Sequence, residues 1–392
     1  MSTQFHSHLN TAVAILKSYK GEIPFHLFLK KYFSSNKKYG SRDRKQITSL
    51  CYNYFRLGKA AVNIPAEERI LLGTFLCENK PSPLLEILKP EWNAAIEKSL
   101  KEKISFIDSK FEIENIFSLN DELSDGIDRE KFNQSFLIQP KLFLRIRPGN
   151  KNKVTGKLAG AGISYQLLKE DCIALSNASK IDSVIELDKE AVVQDYNSQR
   201  VGDFLQLQTT NYKLQTNVWD CCAASGGKSI MAYDLNPNIK LTVSDKRESI
   251  LKNLKERFAK AGIKNYNSFV ADLTTENYKL PTTNFDLIIA DVPCTGSGTW
   301  SRTPEQLFYF QKKQMEEYSN LQKKIIENVV ENLKPGAKLL YITCSVFKKE
   351  NEDVINFVTE KFNLKIEKQE LLKGYEMQAD TMFAALLTAP LI

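Results

Sequence analysis

At 392 residues, with 42% hydrophobic and 26% charged residues, the chain has the composition of a globular protein of two or three domains. No apolar run approaches the length of about 18 residues that a membrane span requires, and the first ten residues, MSTQFHSHLN, lack the apolar core of a signal peptide, which predicts a cytoplasmic protein. The seven cysteines show no CxxC spacing, which argues against a disulfide framework and against a zinc site.

The net charge of +7 is unevenly distributed along the chain. Residues 1–60 carry 11 Lys or Arg against 2 Asp or Glu, whereas residues 61–140 carry 9 against 15. A basic, aromatic-containing segment is typical of polyanion binding, because cations that neutralise phosphates release counterions. A solvated basic face explains the same count equally well, so charge alone leaves both interpretations open.

Apolar side chains recur at helical spacing from residue 5 to about residue 103, which predicts an all-helical domain. With an acidic connecting segment at 104–139, it forms the first predicted domain, residues 1–139. Ser41 and Asp43 are candidate caps of the third helix. The first turn of that helix carries three cations, Arg42, Arg44 and Lys45. Cations there oppose the helix dipole, which favours a role outside the helix, such as holding phosphate.

Residues 140–205 are predicted to form a small α+β unit. PKLFLRIRPG, residues 140–149, alternates apolar and basic residues like an exposed strand. A helix at 151–161 and strands near 164–168 and 183–186 complete the predicted unit.

From Asn217 onward, strand-like and helix-like segments alternate, which predicts a doubly wound, Rossmann-like α/β domain over residues 206–392. The predicted strands end in side chains that carry chemistry, namely Asp220, Asp245, Asp272, Asp291 and Cys344. The carboxyl ends of parallel strands share one edge of a sheet, and open α/β sheets bind ligands there. A single terminal Asp is commonly a cap or turn residue, but five functional groups at successive strand ends predict a ligand site.

DCCAASGGKS, residues 220–229, is a small-residue loop between the first strand of this domain and its helix. Such loops let a ligand approach the backbone and the helix amino terminus. A triphosphate-binding P-loop requires Gly at the position of Cys222, and the dinucleotide fingerprint GxGxxG is absent. Asp245 suits a ribose hydroxyl and Asp272 an adenine amino group, so the pattern favours a cofactor that contains adenosine but no triphosphate.

Two cysteines, Cys294 and Cys344, lie where predicted strands pass into ligand-facing loops, in DVPCTGSG and YITCSVF. Most buried cysteines are inert core residues, which is the interpretation given to Cys51, Cys77 and Cys172. All three histidines fall within the first 26 residues. Proton transfer near the two strand-end cysteines is therefore expected to use a carboxylate, a thiol, a lysine or water.

Three stretches, DCCAASGGKS, DVPCTGSGTWSRTPE and TCSVFKKENE, resemble in this order the signature motifs of the Sun (Fmu) family of S-adenosylmethionine-dependent RNA 5-methylcytosine methyltransferases. The similarity includes QDYNSQ, residues 194–199, and extends through most of residues 140–392. GSRDRKQI, residues 40–47, is similar to part of the NusB-like RNA-binding domain of the bacterial ribosomal RNA members. The resemblance implies a Rossmann-like class I methyltransferase domain, S-adenosylmethionine as cofactor, and RNA as substrate, with small-subunit ribosomal RNA expected first.

The resemblance also implies roles for individual residues. Cys344 matches the nucleophile, Cys294 the cysteine that assists product release, and Asp291 an acid that contacts cofactor or base. The expected cofactor-binding residues are Cys222, Ala223, Ala224, Ser225, Gly226, Gly227, Lys228, Asp245, Asp272 and Asp291. The expected RNA-binding residues are Arg42, Arg44, Lys45, Arg145 and Arg302. We expect no metal and no membrane partner, and a monomer.

The chemistry of such a reaction explains the residue types. Carbon 5 of cytosine is a poor nucleophile, so a thiolate must first add to carbon 6. A thiol with a pKa of about 8.5 is only slightly ionised near neutrality, and Lys228 is the candidate that favours the thiolate. Asp291 can hydrogen-bond the cytosine, and Cys294 or water can remove the proton from carbon 5. The target base must be unstacked, which predicts single-stranded or opened RNA.

Some positions depart from the family pattern. Ser225 stands where the family usually has Pro, which is expected to loosen the cofactor loop, and Arg147 stands where Asn is common. Three alternatives stay open: a tRNA methyltransferase with the same chemistry, a DNA 5-methylcytosine methyltransferase that uses Cys294 as nucleophile, and a non-catalytic RNA-binding ribosome-assembly factor.

Overall fold

The computed structural model of the chain describes residues 2–107, 111–209, 216–275, 280 and 284–391. The connecting segment predicted at 104–139 includes residues 108–110, which lie outside the described residues. The chain divides into two units. The helical unit consists of Met1–Asp121, Ile127–Gln139 and Thr299–Gln311, and the α/β unit consists of Glu122–Gly126, Pro140–Gly298 and Lys312–Ile392.

The helices are, in chain order, α1 (Ser2–Ser18), α2 (Phe25–Ser35), α3 (Ser41–Arg56), α4 (Ala66–Cys77), α5 (Pro83–Leu88), α6 (Pro90–Ala94), α7 (Leu100–Phe106), α8 (Arg129–Ser135), α9 (Lys151–Gly160), α10 (Tyr196–Arg200), α11 (Gly202–Thr209), α12 (Gly227–Leu235), α13 (Glu248–Ala261), α14 (Gln306–Tyr309), α15 (Lys313–Val330) and α16 (Glu352–Phe362). The strands are β1 (Leu142–Ile146), β2 (Tyr165–Lys169), β3 (Cys172–Leu175), β4 (Ala191–Val193), β5 (Asn217–Asp220), β6 (Lys240–Asp245), β7 (Tyr266–Val270), β8 (Phe285–Asp291), β9 (Leu333–Thr343), β10 (Lys365–Leu372) and β11 (Met382–Thr388).

In the helical unit, α3 packs against α1 and α4 through the apolar face that the sequence predicted. Its buried side chains include Ile47, Leu50 and Phe55. The N-cap is Gly40, whose backbone N–H donates to the Asp43 carboxylate at 3.1 Å. Asp43 therefore supports the cap from the first turn, where a carboxylate also favours the helix dipole.

The segment 299–311, which contains α14, belongs to the helical unit although it follows the DVPCTGSG stretch in sequence. The buried Glu305 accepts a hydrogen bond from the backbone N–H of Phe25, the first residue of α2, at 3.2 Å. Tyr309 donates its hydroxyl to the carbonyl of Tyr19 at 2.9 Å and packs edge-on against that ring. The domain boundaries predicted at residues 139 and 205 do not include this segment in the helical domain.

The carboxyl-terminal part of the predicted small α+β unit differs from expectation. β1 to β4 form an antiparallel sheet in the order β2-β3-β1-β4, with α9 in the chain between β1 and β2. The strand predicted at 183–186 is wrong: the chain turns there, and the Ile185 N–H donates to the Ile181 carbonyl as in a helical turn. Both isoleucines are buried beside the sheet, which explains why the apolar pattern resembled a strand. The prediction of an exposed first strand is also wrong, since β1 is buried between β3 and β4.

The seven-stranded sheet of the α/β unit has the order β10-β11-β9-β8-β5-β6-β7. β5 to β9 are parallel, whereas β10 and β11 are antiparallel to their neighbours. Two apolar cores cover its faces, because successive residues of β5, Val218 and Trp219, pack into different clusters. The Rossmann-like domain, the small α+β unit and the helical amino-terminal region that the sequence predicted are confirmed. The strand order reverses between β5 and β8, which is where such sheets bind ligands.

Two features are absent from the described residues. None of their helices has both the length and the apolarity needed to cross a bilayer. No group of three or more His, Cys, Asp or Glu side chains among them is arranged to hold a metal ion.

Candidate active site

Five polar side chains lie at the carboxyl ends of five adjacent strands of the large sheet. From β9 across to β7 they are Cys344, Asp291, Asp220, Asp245 and Asp272. Each acid or thiol either ends its strand or follows it within two residues. Asp291 and Asp220 flank the point where the strand order reverses. The strands that carry the five side chains are neighbours, so these side chains share one edge of the sheet, as the sequence predicted.

The loop between β5 and α12 is fixed in a conformation that depends on glycine. The Ala223 N–H donates to the Ser244 carbonyl on β6 at 2.9 Å. Ala224 and Gly226 adopt left-handed backbone conformations, with φ of 46° and 84°. A Cβ at Gly226 would lie 2.7 Å from the Cε1 atom of Phe258, so the loop can rest on α13 only because this residue has no side chain.

The two acids after β6 and β7 are held by local contacts. The Oδ2 of Asp245 accepts a hydrogen bond from the Ala224 N–H at 3.1 Å, which ties the carboxylate to the loop. Asp272 pairs with Lys246 at 2.6 Å and accepts from the hydroxyl of Thr274 at 2.6 Å. The contact with Lys246 and the bonds from Thr274 lower the pKa of Asp272 to about 2. Asp272 is therefore an anion at neutral pH.

Asp220 is fully buried and incompletely satisfied. Its Oδ2 accepts from the Ser229 hydroxyl at 2.6 Å, whereas its Oδ1 has no hydrogen-bond partner among the described residues. Burial raises the pKa of Asp220 to about 7; the Ser229 bond opposes the rise and the nearby charge of Asp291 adds to it. A buried, unpartnered carboxylate oxygen is costly, and a ligand cation or an ordered water would satisfy it. With Asp245 and Asp291 beside it, this edge suits a ligand that carries positive charge.

Lys228, in the first turn of α12, forms an ion pair with Asp291. Its Nζ lies 3.0 Å from the Asp291 Oδ2 and donates to the Ser198 hydroxyl at 2.8 Å. Burial lowers the pKa of Lys228, but the influences that raise it, among them the charge and the hydrogen bond of Asp291, outweigh burial, so the pKa is raised. The ammonium group is therefore charged and brings positive potential to Asp291 and Cys344.

The two strand-end cysteines are in direct contact. The backbone N–H of Cys344 donates to the Sγ of Cys294 at 3.3 Å. Close by, the Gly298 N–H donates to the Cys344 carbonyl at 2.8 Å, and a Cβ at Gly298 would lie 1.9 Å from the carbonyl oxygen of Thr381. The sequence predicted that both cysteines face one edge, and the structure brings Cys294, Cys344, Asp291 and Lys228 into a single cluster.

Cys344 is not activated in the free protein. Its contact with Cys294 is the largest influence that raises its pKa, followed by burial and by the charge of Asp291. Lys228 lowers the pKa of Cys344, as the sequence predicted, but the other influences are stronger. The thiol is therefore neutral near pH 7, and any nucleophilic role requires a change in its surroundings.

Glu350 is a residue whose contribution the sequence did not reveal. The residue is fully buried and precedes α16. Its Oε1 accepts from the Thr295 N–H and from the Gln322 side chain, each at 2.9 Å. Its Oε2 accepts from the hydroxyls of Thr295, at 2.5 Å, and of Ser345. Thr295 follows Cys294 and Ser345 follows Cys344, so one carboxylate fastens both cysteine loops.

The residues predicted to contact RNA occupy different environments. Arg42 and Lys45 are exposed on the first turn of α3, whereas Arg44 packs over the Phe33 ring and donates to the Tyr39 carbonyl. Arg302 is half-buried in the segment 299–311 of the helical unit.

Arg145 belongs to the interior of the α/β unit. It is 5% exposed, donates to Gln194 at 2.8 Å and pairs with Asp234 at 2.7 Å. Arg147, where the family commonly has Asn, also pairs with Asp234 at 2.7 Å. These contacts connect the small sheet to α12, and an RNA contact by Arg145 stays a prediction.

Comparison with known sequences finds a family that is similar to the carboxyl-terminal part of the chain. Residues 205–387 match the family described as 16S rRNA methyltransferase RsmB/F. The ribosomal RNA small subunit methyltransferase B of Shewanella oneidensis is 32% identical over 203 residues, which are 50% of this chain and 44% of that protein. The chain spans about half the length of the curated relatives it matches.

Comparison with solved structures shows the fold. The crystal structure of PH0851 has a TM-score of 0.68 at 20% identity and covers 96% of each chain. NSun6 from Pyrococcus horikoshii, crystallised with SFG, has a TM-score of 0.58 at 15% identity and covers 67% of this chain and 94% of its own. At these identities the likeness concerns the arrangement of helices and strands.

Proposed function

We propose, from the membership of residues 205–387 in the RsmB/F (Sun) family of RNA methyltransferases, that this protein methylates carbon 5 of a cytosine in RNA. Small-subunit ribosomal RNA is the proposed substrate, because the matched family and the Shewanella relative are both named for it. The observation that carries the proposal is the contact of Cys344 with Cys294 beside the ion pair of Asp291 and Lys228. A thiol, a carboxylate and an ammonium group together can perform covalent catalysis on a pyrimidine.

The proposed cofactor is S-adenosylmethionine, which would supply an electrophilic methyl group. The likeness to NSun6 with bound SFG, an analogue of this cofactor, supports the choice. The residues proposed to hold it are the backbone of Cys222 to Lys228 and the acids Asp245, Asp272 and Asp291. The unpartnered Oδ1 of Asp220 fits a cationic ligand at this edge. Asp220 is thus an addition to the residues that the sequence assigned to the cofactor.

Cys344 is the proposed nucleophile. Its Sγ would add to carbon 6 of the cytosine, and the proton of the thiol would pass through Asp291 to the ring nitrogen of the base. Lys228 stabilises the thiolate, since its charge lowers the pKa of Cys344. Asp291 would hydrogen-bond the cytosine ring nitrogen or amino group, and the proton delivered to the ring nitrogen would neutralise the negative charge that the adduct otherwise carries. Carbon 5 would then accept the methyl group.

Cys294 is the proposed agent of product release. After methylation, the proton on carbon 5 must leave before the bond between carbon 6 and the Cys344 sulfur breaks. Cys294 touches the backbone of Cys344, and this proximity supports the proposal that Cys294 takes the proton directly or through water. The released thiolate of Cys344 then recovers a proton.

Three alternatives differ in testable ways. A tRNA methyltransferase would use the same site on another RNA, and methylation of isolated tRNA would identify it. A DNA 5-methylcytosine methyltransferase would use Cys294 as the nucleophile. A non-catalytic ribosome-assembly factor would bind cofactor and RNA without transferring a methyl group to any cellular RNA.

Covalent trapping tests the proposal. Small-subunit ribosomal RNA that contains 5-fluorocytosine should form a denaturation-resistant adduct with the protein in the presence of S-adenosylmethionine, because fluorine on carbon 5 prevents release. Cys344→Ala should abolish the adduct, and Cys294→Ala should retain it. The opposite pattern would make Cys294 the nucleophile. Bisulfite sequencing of RNA from a deletion strain would then locate the modified cytosine.

A further inference from the structure

The cofactor loop of this chain lacks the proline that is usual in the resembling family. Ser225 stands at that position, between the left-handed Ala224 and Gly226. A proline restricts the unfolded and alternative states of a loop, so its loss is expected to favour disorder. From the sequence, Ser225 predicts a looser loop.

The structure contains a contact that restrains this loop in another way. The Nη1 of Arg257, on α13, donates to both the carbonyl oxygen and the hydroxyl of Ser225, each at 2.9 Å. The same helix carries Phe258, against which Gly226 rests. The loop is therefore fixed by Asp245 at Ala224 and by Arg257 at the next residue.

Arg257 is itself held in place. Its Nε and Nη2 donate to the Oδ1 of Asp188 at 2.9 and 2.7 Å. Asp188 is 8% exposed and has a φ of 66°. Its backbone is fastened by a hydrogen bond from its N–H to the Ala191 carbonyl at 2.8 Å, and its carbonyl accepts from Arg147 at 2.9 Å.

The geometry of this contact needs arginine. The guanidinium group presents several donors in a rigid plane, so one edge can bind Asp188 while Nη1 binds Ser225. A lysine ammonium in the same place is a single flexible point charge and cannot hold both partners in fixed directions. Arg257 is 21% exposed, so water competes only partly for its donors.

We propose that Arg257, oriented by Asp188, is a positioning residue that keeps the Cys222–Lys228 loop in its cofactor-binding conformation, in place of the missing proline. The inference rests on the proposed function, in which this loop binds S-adenosylmethionine. Arg257 acts through Ser225 and need not touch the cofactor. Arg257, which lies outside the three signature-like motifs, would thus influence the affinity for the cofactor by restraining the loop.

The test measures binding of S-adenosylhomocysteine to the full chain by titration calorimetry. Arg257→Ala should weaken binding roughly tenfold, as expected for losing hydrogen bonds from a charged donor. Adding Ser225→Pro to Arg257→Ala should restore most of the affinity, whereas Ser225→Pro alone should change it little. Lys252→Ala is the matched control on α13, since Lys252 pairs only with the exposed Glu248 among the described contacts, and it should bind like the unmodified protein. Rescue by proline is a result that a general packing role of Arg257 would not produce.

Two further variants distinguish a loss of loop positioning from misfolding of the protein. Arg257→Lys keeps the charge and should lose part of the affinity with little change in the melting temperature. Asp188→Asn should weaken binding in the unmodified protein but not in Arg257→Ala, since Asp188 acts through Arg257. Unchanged affinity in Arg257→Ala, or an equal loss of affinity with and without Ser225→Pro, would overturn the role of Arg257 and leave the proposed cofactor unaffected. Absence of binding by the unmodified protein would refute the proposed cofactor as well.

Discussion

The backbone N–H of Cys344 donates a hydrogen bond to the Sγ of Cys294 at 3.3 Å, so the two strand-end cysteines of the candidate site are in contact. The side-chain contact between the same two cysteines is the largest influence that raises the pKa of Cys344. Cys294 therefore affects the ionisation of Cys344, which connects the proposed nucleophile with its proposed partner.

Replacing Cys294 should make Cys344 more reactive. Cys294→Ala removes the contact that most strongly raises the pKa of Cys344, so a larger fraction of Cys344 is thiolate at a given pH. Alkylation of Cys344 by iodoacetamide, followed by mass spectrometry of its peptide, should be several-fold faster than in the unmodified protein. Cys77→Ala, in the helical unit, is the control. Slower alkylation would show that Cys294 assists the ionisation of Cys344.

Replacing Lys228 should have the opposite effect. Lys228→Gln removes the cation that lowers the pKa of Cys344, so the thiolate becomes less stable and the pH profile of alkylation should move to higher pH. Lys334→Gln is a matched control, because Lys334 pairs with Asp286 at 2.6 Å near the opposite end of β8. A profile unaffected by Lys228→Gln would remove this lysine from the activation of the nucleophile.

Glu350 should be needed for the geometry of both cysteine loops. Glu350→Ala leaves the Thr295 N–H and the Gln322 amide without their acceptor, at a cost of roughly 3 kcal/mol in the free energy of unfolding. Glu350→Gln keeps the shape and should cost less, because the Thr295 and Ser345 hydroxyls can rotate to accept. Urea unfolding measures both values, and the trapping assay should show less adduct in each variant. Normal adduct formation in a folded Glu350→Ala protein would exclude a positioning role.

Asp220 should make stability depend on pH. Its pKa is about 7 in the folded protein, above the ordinary value of an aspartate, so the folded state binds its proton more tightly than the unfolded state does. The corresponding stabilisation is complete below the unfolded pKa and is lost as the pH rises through about 7. Between about pH 5.5 and about pH 8.5, Asp220→Asn should therefore gain about 2 kcal/mol relative to the unmodified protein.

Urea unfolding at the two pH values measures this difference. Asp182→Asn, at an exposed position in the same unit, is the control. A pH-independent difference between Asp220→Asn and the unmodified protein would show that Asp220 stays ionised throughout.

The exposed cations of α3 should contribute to RNA affinity. Arg42→Ala combined with Lys45→Ala should weaken RNA binding and reduce the slope of log affinity against log salt by about 1 to 2, since each phosphate contact releases counterions. Binding of S-adenosylhomocysteine should be unchanged. Lys80→Ala with Lys101→Ala, which removes two exposed cations of the same unit, is the matched control. Equal loss of RNA and cofactor binding would mean that the α3 segment has a structural role.

Local patterns determined the elements that carry the site. The alternation of apolar strands and amphipathic helices predicted the Rossmann-like domain, and the position of Asp220, Asp245, Asp291 and Cys344 at strand ends was visible in the sequence. The pattern failed at 183–186, because two buried isoleucines of a turn resemble a short strand. It also failed at β1, where Arg145 looked exposed but is neutralised in the interior by Asp234.

By itself, then, the sequence determined which side chains stand at the ends of strands, because strand and helix periodicity depend on neighbours in the chain. Only the tertiary structure decided which of them meet. The strand order β9-β8-β5-β6-β7 made five strand ends adjacent. Contacts between residues distant in sequence joined Thr295 to Glu350, and Ser225 to Arg257. Such pairings depend on how the chain packs, and no local pattern specifies them.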